Sequence, residues 1–237
     1  MKTLKVLMVL SVGLFCALSQ AQDPSAKEKV AATPAPPATQ STVSPASKAF
    51  DAVKFGRTEQ LEELSKTIDL GTVRDSFGNT LLMDAASNGR MNVIKFLIGK
   101  NIDLNAKNEN DETAIWMAMD NNQLPAFDAL MAAGAKIDIP TKAEKDTLVI
   151  RAAAQNNFRV INRLMRKDKA LANAQNAKGE TALIAAAQFG NKDAIKSLLK
   201  FKADPTLKDN EGLTAYDRAK ANNLTETMKL LEPKKSK

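Results

Sequence analysis

Beyond about residue 47, apolar positions recur with a helical rather than a strand period, and they do so in paired bursts. "TLLMDAASNG" from Thr80 is followed by "NVIKFLIGKNIDLNAK", "TAIWMAMDNN" from Thr113 by "AFDALMAAGAKIDIP", and "TLVIRAAAQN" from Thr147 by "VINRLMRKDKALANAQ". "TALIAAAQFG" from Thr181 precedes "AIKSLLKFKADPTLK", and "TAYDRAKANN" from Thr214 closes the series. The threonines stand 33, 34, 34 and 33 residues apart. A period near 33 residues, holding two short helices and a polar connector, predicts a stacked solenoid in which no repeat buries its apolar stripe alone. Each threonine is placed to cap a first helix. The alanines that follow allow close approach between helices, and Leu and Ile at helical spacing supply the shared core. Gly78, Gly179 and Gly212 fall where a tight turn asks for a positive φ, with Asp111 at that place in the second repeat.

The register carries a family pattern, D-x-x-G-x-T-P-L-H-x-A-A-x-x-G, an apolar helix, then G-A-D-x-N-A. The first full copy meets it at Asp75, Gly78, Thr80, Leu82, Ala85, Ala86, Gly89, Leu97, Asp103, Asn105 and Ala106. The fourth meets it at Gly179, Thr181, Leu183, Ala185 or Ala186, Gly190, Leu198, Leu199, Ala203 and Asp204. On these residues the chain resembles the ankyrin-repeat family. The resemblance implies an all-α ankyrin-repeat solenoid of helix-turn-helix units with β-turn loops, about five repeats plus an N-terminal cap. The expected boundaries are a cap over 47–74, repeats over 75–107, 108–141, 142–175, 176–208 and 209–232, and a basic tail over 233–237. "FDAVKFGRTEQLEELSK" reads as the polar N-terminal cap, and the short fifth copy as the C-terminal one.

The chain departs from the family at the Pro and His of T-P-L-H, which are missing from every copy. The His place holds Met83, Trp116, Ile150, Ile184 and Asp217. In the family that histidine helps link neighbouring repeats by hydrogen bonds; four apolar replacements lead to the expectation that packing does this work here. The third repeat is irregular, since "KAEKD" lacks the turn glycine and an extra residue precedes Asn173.

Ahead of the repeats, Lys2 and Lys5 precede an apolar run from Val6 to Leu18 and a small-x-small site, Ser19-Gln20-Ala21. Residues 1–21 therefore read as a cleaved secretory signal peptide, too short in its apolar core for a comfortable membrane span. A lipoprotein reading would use Cys16, but Phe15 occupies the position where that processing wants a small residue. Residues 22–46, with Pro24, Pro34, Pro36, Pro37 and Pro45, read as a disordered Pro/Ala/Ser/Thr linker acting as a spacer, a docking peptide being the rival.

Composition narrows the chemistry. The 237 residues contain no histidine and one cysteine, Cys16, which lies in the leader. Zinc sites of N/S type, Ser-His-Asp triads and thiol nucleophiles therefore have no residues to build them in the mature chain. No cofactor or metal is expected. Carboxylate pairs remain, Asp111 with Glu112 and Glu144 with Asp146, which would suit a cell-wall hydrolase only if a pocket split their acidities. At loop tips they read better as solvated turn acids. The net charge of +7 falls to +5 without Lys2 and Lys5. An exported protein has no obvious nucleic-acid partner for it. A second-helix stripe of Lys95, Lys100, Arg159, Arg163, Arg166, Lys192, Lys196 and Lys200 could touch anionic envelope surfaces, and reads more simply as a solvated face.

Surface complementarity is what remains. In ankyrin proteins partners lie along the concave side, against the fingertip loops and first helices. Carried onto this chain, that face comprises Phe77, Asn79, Ser87, Asn88, Glu109, Asn110, Glu112, Asp120, Asn121, Glu144, Gln155, Lys178, Glu180 and Phe189, with Glu211 and Leu213 at its end. Phe77 is the sharpest candidate, because an exposed aromatic at a fingertip suits a hot spot. Phe55 and Phe189, each before a helix-ending glycine, are expected to be half packed. The resemblance to secreted ankyrin proteins implies a non-catalytic periplasmic module that binds another protein, an envelope enzyme. It would act as an immunity-like inhibitor of a peptidoglycan peptidase, or alternatively as a chaperone-like supporter of an enzyme such as a catalase.

Overall fold

The computed structural model of the protein describes residues 44–232. The expected leader, almost all of the linker and the basic tail lie outside the described residues.

Among the described residues there are twelve α-helices in six consecutive pairs. They are α1 Pro45–Lys54 with α2 Thr58–Leu64, α3 Leu81–Ser87 with α4 Met91–Gly99, and α5 Ala114–Asp120 with α6 Leu124–Ala132. Then come α7 Leu148–Ala154 with α8 Phe158–Lys167, α9 Ala182–Gln188 with α10 Lys192–Lys200, and α11 Ala215–Ala221 with α12 Thr225–Leu231. The segment that carries the extra residue forms a 3-10 turn, Lys169–Asn173, opened by the Asp168 carboxylate accepting from the Ala170 amide. No helix among the described residues is long and apolar enough to cross a membrane.

The first pair is where expectation and structure differ. The segment expected to be a cap is a complete helix pair, and it starts inside the expected linker. Ser44 is its N-cap, accepting from the Ser47 amide at 3.1 Å, and Pro45 and Ala46 are helical. Proline is at home in a first turn, because its φ is preset and the missing N–H would have had no helical partner. A composition reading counts Pro45 with the linker; its position at a helix start reverses that.

The two helices of a pair divide the work. The first helices of the four inner pairs are short and largely buried, as in α9, where Ala182 to Ala187 are all buried. Second helices bury one stripe, as in α8, where Val160, Ile161, Leu164 and Met165 face inward. Successive first helices pack more closely than successive second helices. Small side chains on one side of the stack and large ones on the other curve it toward the first helices. The concave side is therefore the first-helix side.

Three of the five repeat threonines cap as expected. The side chains of Thr80, Thr181 and Thr214 accept from the amides of Met83, Ile184 and Asp217. Thr113 and Thr147 do not, and their Oγ1 atoms are buried without a partner. The four apolar residues at the missing-histidine place, Met83, Trp116, Ile150 and Ile184, are all at most 2% exposed and belong to the core. The fifth, Asp217, completes a capping box by accepting from the Thr214 amide and hydroxyl.

Candidate functional site

The concave side is built from fingertip loops, and each loop is closed by one short polar side chain. Asp75 Oδ1 accepts the amides of Phe77 and Asn79; Asn108 Oδ1 those of Asn110 and Glu112; Asn176 Oδ1 those of Lys178 and Glu180; Asp209 Oδ1 those of Glu211 and Leu213. In the irregular third repeat Thr141 Oγ1 serves instead, accepting the Asp146 amide at 3.2 Å. Lys145 takes the turn position with φ 53°, where other loops have Gly78, Asp111, Gly179 and Gly212. The loops also bond to one another. The amides of Glu109, Lys142, Ala177 and Asn210 donate to the carbonyls of Phe77, Asn110, Glu144 and Lys178 in the preceding loops.

Packing fills the missing-histidine place as expected, but a polar link between repeats is present as well, and it runs through fingertip backbones and Asx side chains. Trp116 adds to it: fully buried, its indole N–H donates to the Ile139 carbonyl at 3.2 Å. A buried indole finds an acceptor, and here the acceptor lies in the loop leading into the third repeat.

The turn at Gly179 is where this close approach is most demanding. Its φ is +73°, and an added Cβ would sit 2.8 Å from the Asn210 backbone nitrogen. Gly212 has the same left-handed backbone, φ +79°, with open space around it. Gly212→Ala is expected to cost about 1 kcal/mol from backbone strain alone. Gly179→Ala is expected to cost at least about 1 kcal/mol more, because it must also open the loop-to-loop bond. Urea unfolding of the two variants side by side measures the difference; equal costs would mean that the loop yields freely.

The expected partner-facing residues divide into two groups. Phe77, Asn88, Glu109, Asn110, Asp120, Asn121, Glu144, Gln155, Lys178 and Phe189 are exposed. Asn79, Ser87, Glu112 and Glu180 are only partly so. Three of these four are structural: Asn79 Oδ1 and Glu112 Oε2 both accept from Asn108 Nδ2, and Glu180 Oε2 accepts from Asn176 Nδ2. Gln155 is tied to Asp120 at 2.8 Å, and Lys178 to Glu144 at 2.5 Å. Phe55 and Phe189, expected to be half packed, are 59% and 61% exposed, and Phe77 is 68% exposed. Phe55 and Phe189 are the C-caps of α1 and α9, so their rings leave the helix just as the chain turns away from the core.

Sequence reasoning missed the outward position within the first helices themselves, one residue after the missing histidine. It holds Asp84, Met117, Arg151, Ala185 and Arg218. Four of these five are only partly buried, unlike most of the residues around them, and the 3.6-residue period places them on the side opposite the core. Burial pushes the Asp84 carboxyl up, against a hydrogen bond from Asn88 and with help from nearby Asp75. Its ionisation therefore opposes folding as pH rises. On the second-helix side, Lys100 pairs with Glu62 and Arg163 with Asp128, so the basic stripe is partly neutralised within the stack.

A solenoid of helix pairs with a rigid, loop-edged concave side is the architecture of a repeat protein that binds by surface. The sequence profile of ankyrin repeats (three copies) matches residues 49–141 and 149–237, and the chain belongs to the ankyrin-repeat family. It is similar to a chain in the structure of the Bd0816 predatory endopeptidase from Bdellovibrio bacteriovorus in complex with immunity protein Bd3460. That match is 38% identical, with a TM-score of 0.71, over 79% of this chain and 98% of that one. An ankyrin repeat domain from Acinetobacter baumannii shares the fold at 24% identity and a TM-score of 0.69, over 77% of this chain and 95% of that one. Among curated proteins, an L-asparaginase from Dirofilaria immitis is 29% identical over 73% of this chain, which spans only 29% of that protein.

Proposed function

We propose that the chain is a periplasmic, immunity-like binder whose concave face covers an envelope endopeptidase and blocks it by occupying its surface. The observation that carries this reading is the exposure of Phe77 and Phe189 on a face whose loops are already held by hydrogen bonds. Exposed aromatics on a preorganised frame lose little entropy on binding, which favours a tight, stoichiometric inhibitor. Similarity to a chain from an endopeptidase–immunity protein complex supports the target class, and the leader-like residues 1–21 support export.

The test is a titration of residues 22–237 into a peptidoglycan endopeptidase captured from periplasmic extract, read as release of fragments from purified sacculi. Activity is expected to fall to zero at a one-to-one ratio. The double variant Phe77→Ala/Phe189→Ala is expected to weaken the inhibition constant roughly 1,000-fold, since two hot spots of about 2 kcal/mol each are lost. Both rings lie outside the core, so helicity and melting should not change. An enzyme that stays fully active at saturating wild-type protein would refute the proposal.

A further inference from the structure

The junction where α5 meets α7 is the thinnest first-helix contact in the stack, and a cleft of about 580 Å³ opens there on the fingertip side. The buried side-chain polar atoms left without a partner among the described residues are Thr113 Oγ1, Thr147 Oγ1 and Arg151 Nε. All three belong to the first turns of these two helices or the residues just before them. Buried donors without partners are rare in folded proteins, and of these three residues Arg151 lines the cleft.

The charges lining the cleft are unequally satisfied. Its acids are engaged within the stack: Glu112 accepts from Asn108 at 3.0 Å, Asp146 from Asn176 at 2.8 Å, and Glu144 pairs with Lys178 at 2.5 Å. Its cations are not. Among the described residues Arg151 has no side-chain hydrogen bond or ion pair, and Lys142 reaches only the Glu109 carbonyl at 3.5 Å. The Arg151 guanidinium is instead held over the Trp116 ring, 5.8 Å from its centroid. Stacking of this kind orients a guanidinium without using up its donors. The cleft's carboxylates already have partners, so the donors left unpaired are those of the Arg151 guanidinium, whose planar fork matches a carboxylate.

We propose that this cleft receives the side-chain carboxylate of an Asp or Glu on the bound protein partner, with Arg151 as its ligand and Lys142 at the rim. The proposal rests on the reading of the concave face as a partner surface and adds the chemistry of one anchor point. Arg151 would then give the face a charge-specific contact beside its aromatic ones.

The test needs no partner. The ¹⁵N-labelled mature chain is titrated with N-acetylglutamate α-amide, with N-acetylglutamine α-amide and with N-acetylalanine, following the arginine Nε–Hε peaks. The Arg151 peak is identified by its loss in Arg151→Lys. Expected is a saturable shift of that peak with the glutamate probe, at a concentration at least about tenfold lower than any response to glutamine, as suits a charge-assisted bond. In Arg151→Lys the backbone amides of residues 141–151 should lose that response while helicity is retained. No saturable shift, or equal responses to the glutamate and glutamine probes, would overturn the proposal. Tighter saturation by N-acetylalanine would overturn it too, assigning the cleft to a chain terminus instead. Failure of the sacculus titration would leave these peak shifts unaffected, so the two readings fail separately.

Discussion

Trp116→Ala is expected to lower the free energy of unfolding by about 4 kcal/mol, the largest loss expected from any single side chain in the stack. Trp116 is 1% exposed, and it is the largest of the fully buried side chains. Its removal would leave a cavity at the middle of the stack, beside the thinnest junction between first helices. It would also orphan the Ile139 carbonyl and remove the ring on which Arg151 rests. Because a repeat stack is stabilised by nearest-neighbour interfaces, damage at this junction should also uncouple the two halves. Urea unfolding followed by circular dichroism is then expected to broaden or split. Trp116→Phe keeps most of the apolar area and should cost about 1–2 kcal/mol, mostly the lost hydrogen bond. A loss below about 1 kcal/mol for Trp116→Ala would mean that the junction repacks around the gap.

Asp209→Ala should cost about 3 kcal/mol, the scale for removing one partner of a buried ion pair. The Asp209 side chain is 1% exposed and lies 2.6 Å from the Arg218 guanidinium, which also reaches Glu211 at 3.1 Å. Burial pushes the Asp209 carboxyl up, but the amides of Leu213 and Glu211 and the Arg218 guanidinium outweigh it, and the net shift is downward. The folded carboxyl thus releases its proton more readily than the unfolded one. Its stabilisation is present above the unfolded carboxylate range near about pH 4 and is lost as pH falls through the lower, folded value. The difference between wild type and Asp209→Asn should therefore shrink on acidification below about pH 4. Thermal unfolding of both proteins across that range measures it; a constant difference would place the stabilisation in packing rather than charge. The loss should appear first as faster amide exchange in α11 and α12, which have a neighbouring pair on one side only.

Much of this fold can be read directly from the chain. The threonine register locates the first helix of five pairs, because a cap, a buried alanine surface and a 33-residue period are all local requirements. The first pair escapes the register because it has no threonine at that place and opens on a proline whose composition belongs with the linker. The binding face is only partly legible. Phe77 can be placed at a turn, but nothing in its neighbours says whether a ring at a turn folds back or stands out. Phe55 and Phe189 depart from expectation for the same reason: a residue just before a glycine ends a helix whether or not its ring finds a neighbour. Asn79, Glu112 and Glu180 look like free polar tips in sequence, yet Asn79 bonds to Asn108 of the next loop, 29 residues away, and Glu112 and Glu180 brace their own loops through Asn108 and Asn176.

By itself the sequence determined the repeat, its period, its helix pairs and the absence of histidine chemistry. Each of these depends on residue type and local spacing. Only the tertiary structure decided which polar residues brace the stack and which stand free, and that Arg151 sits over Trp116 while the carboxylates of its cleft are engaged elsewhere. Those outcomes depend on how closely one repeat approaches the next, a distance that arises only when the helix pairs stack.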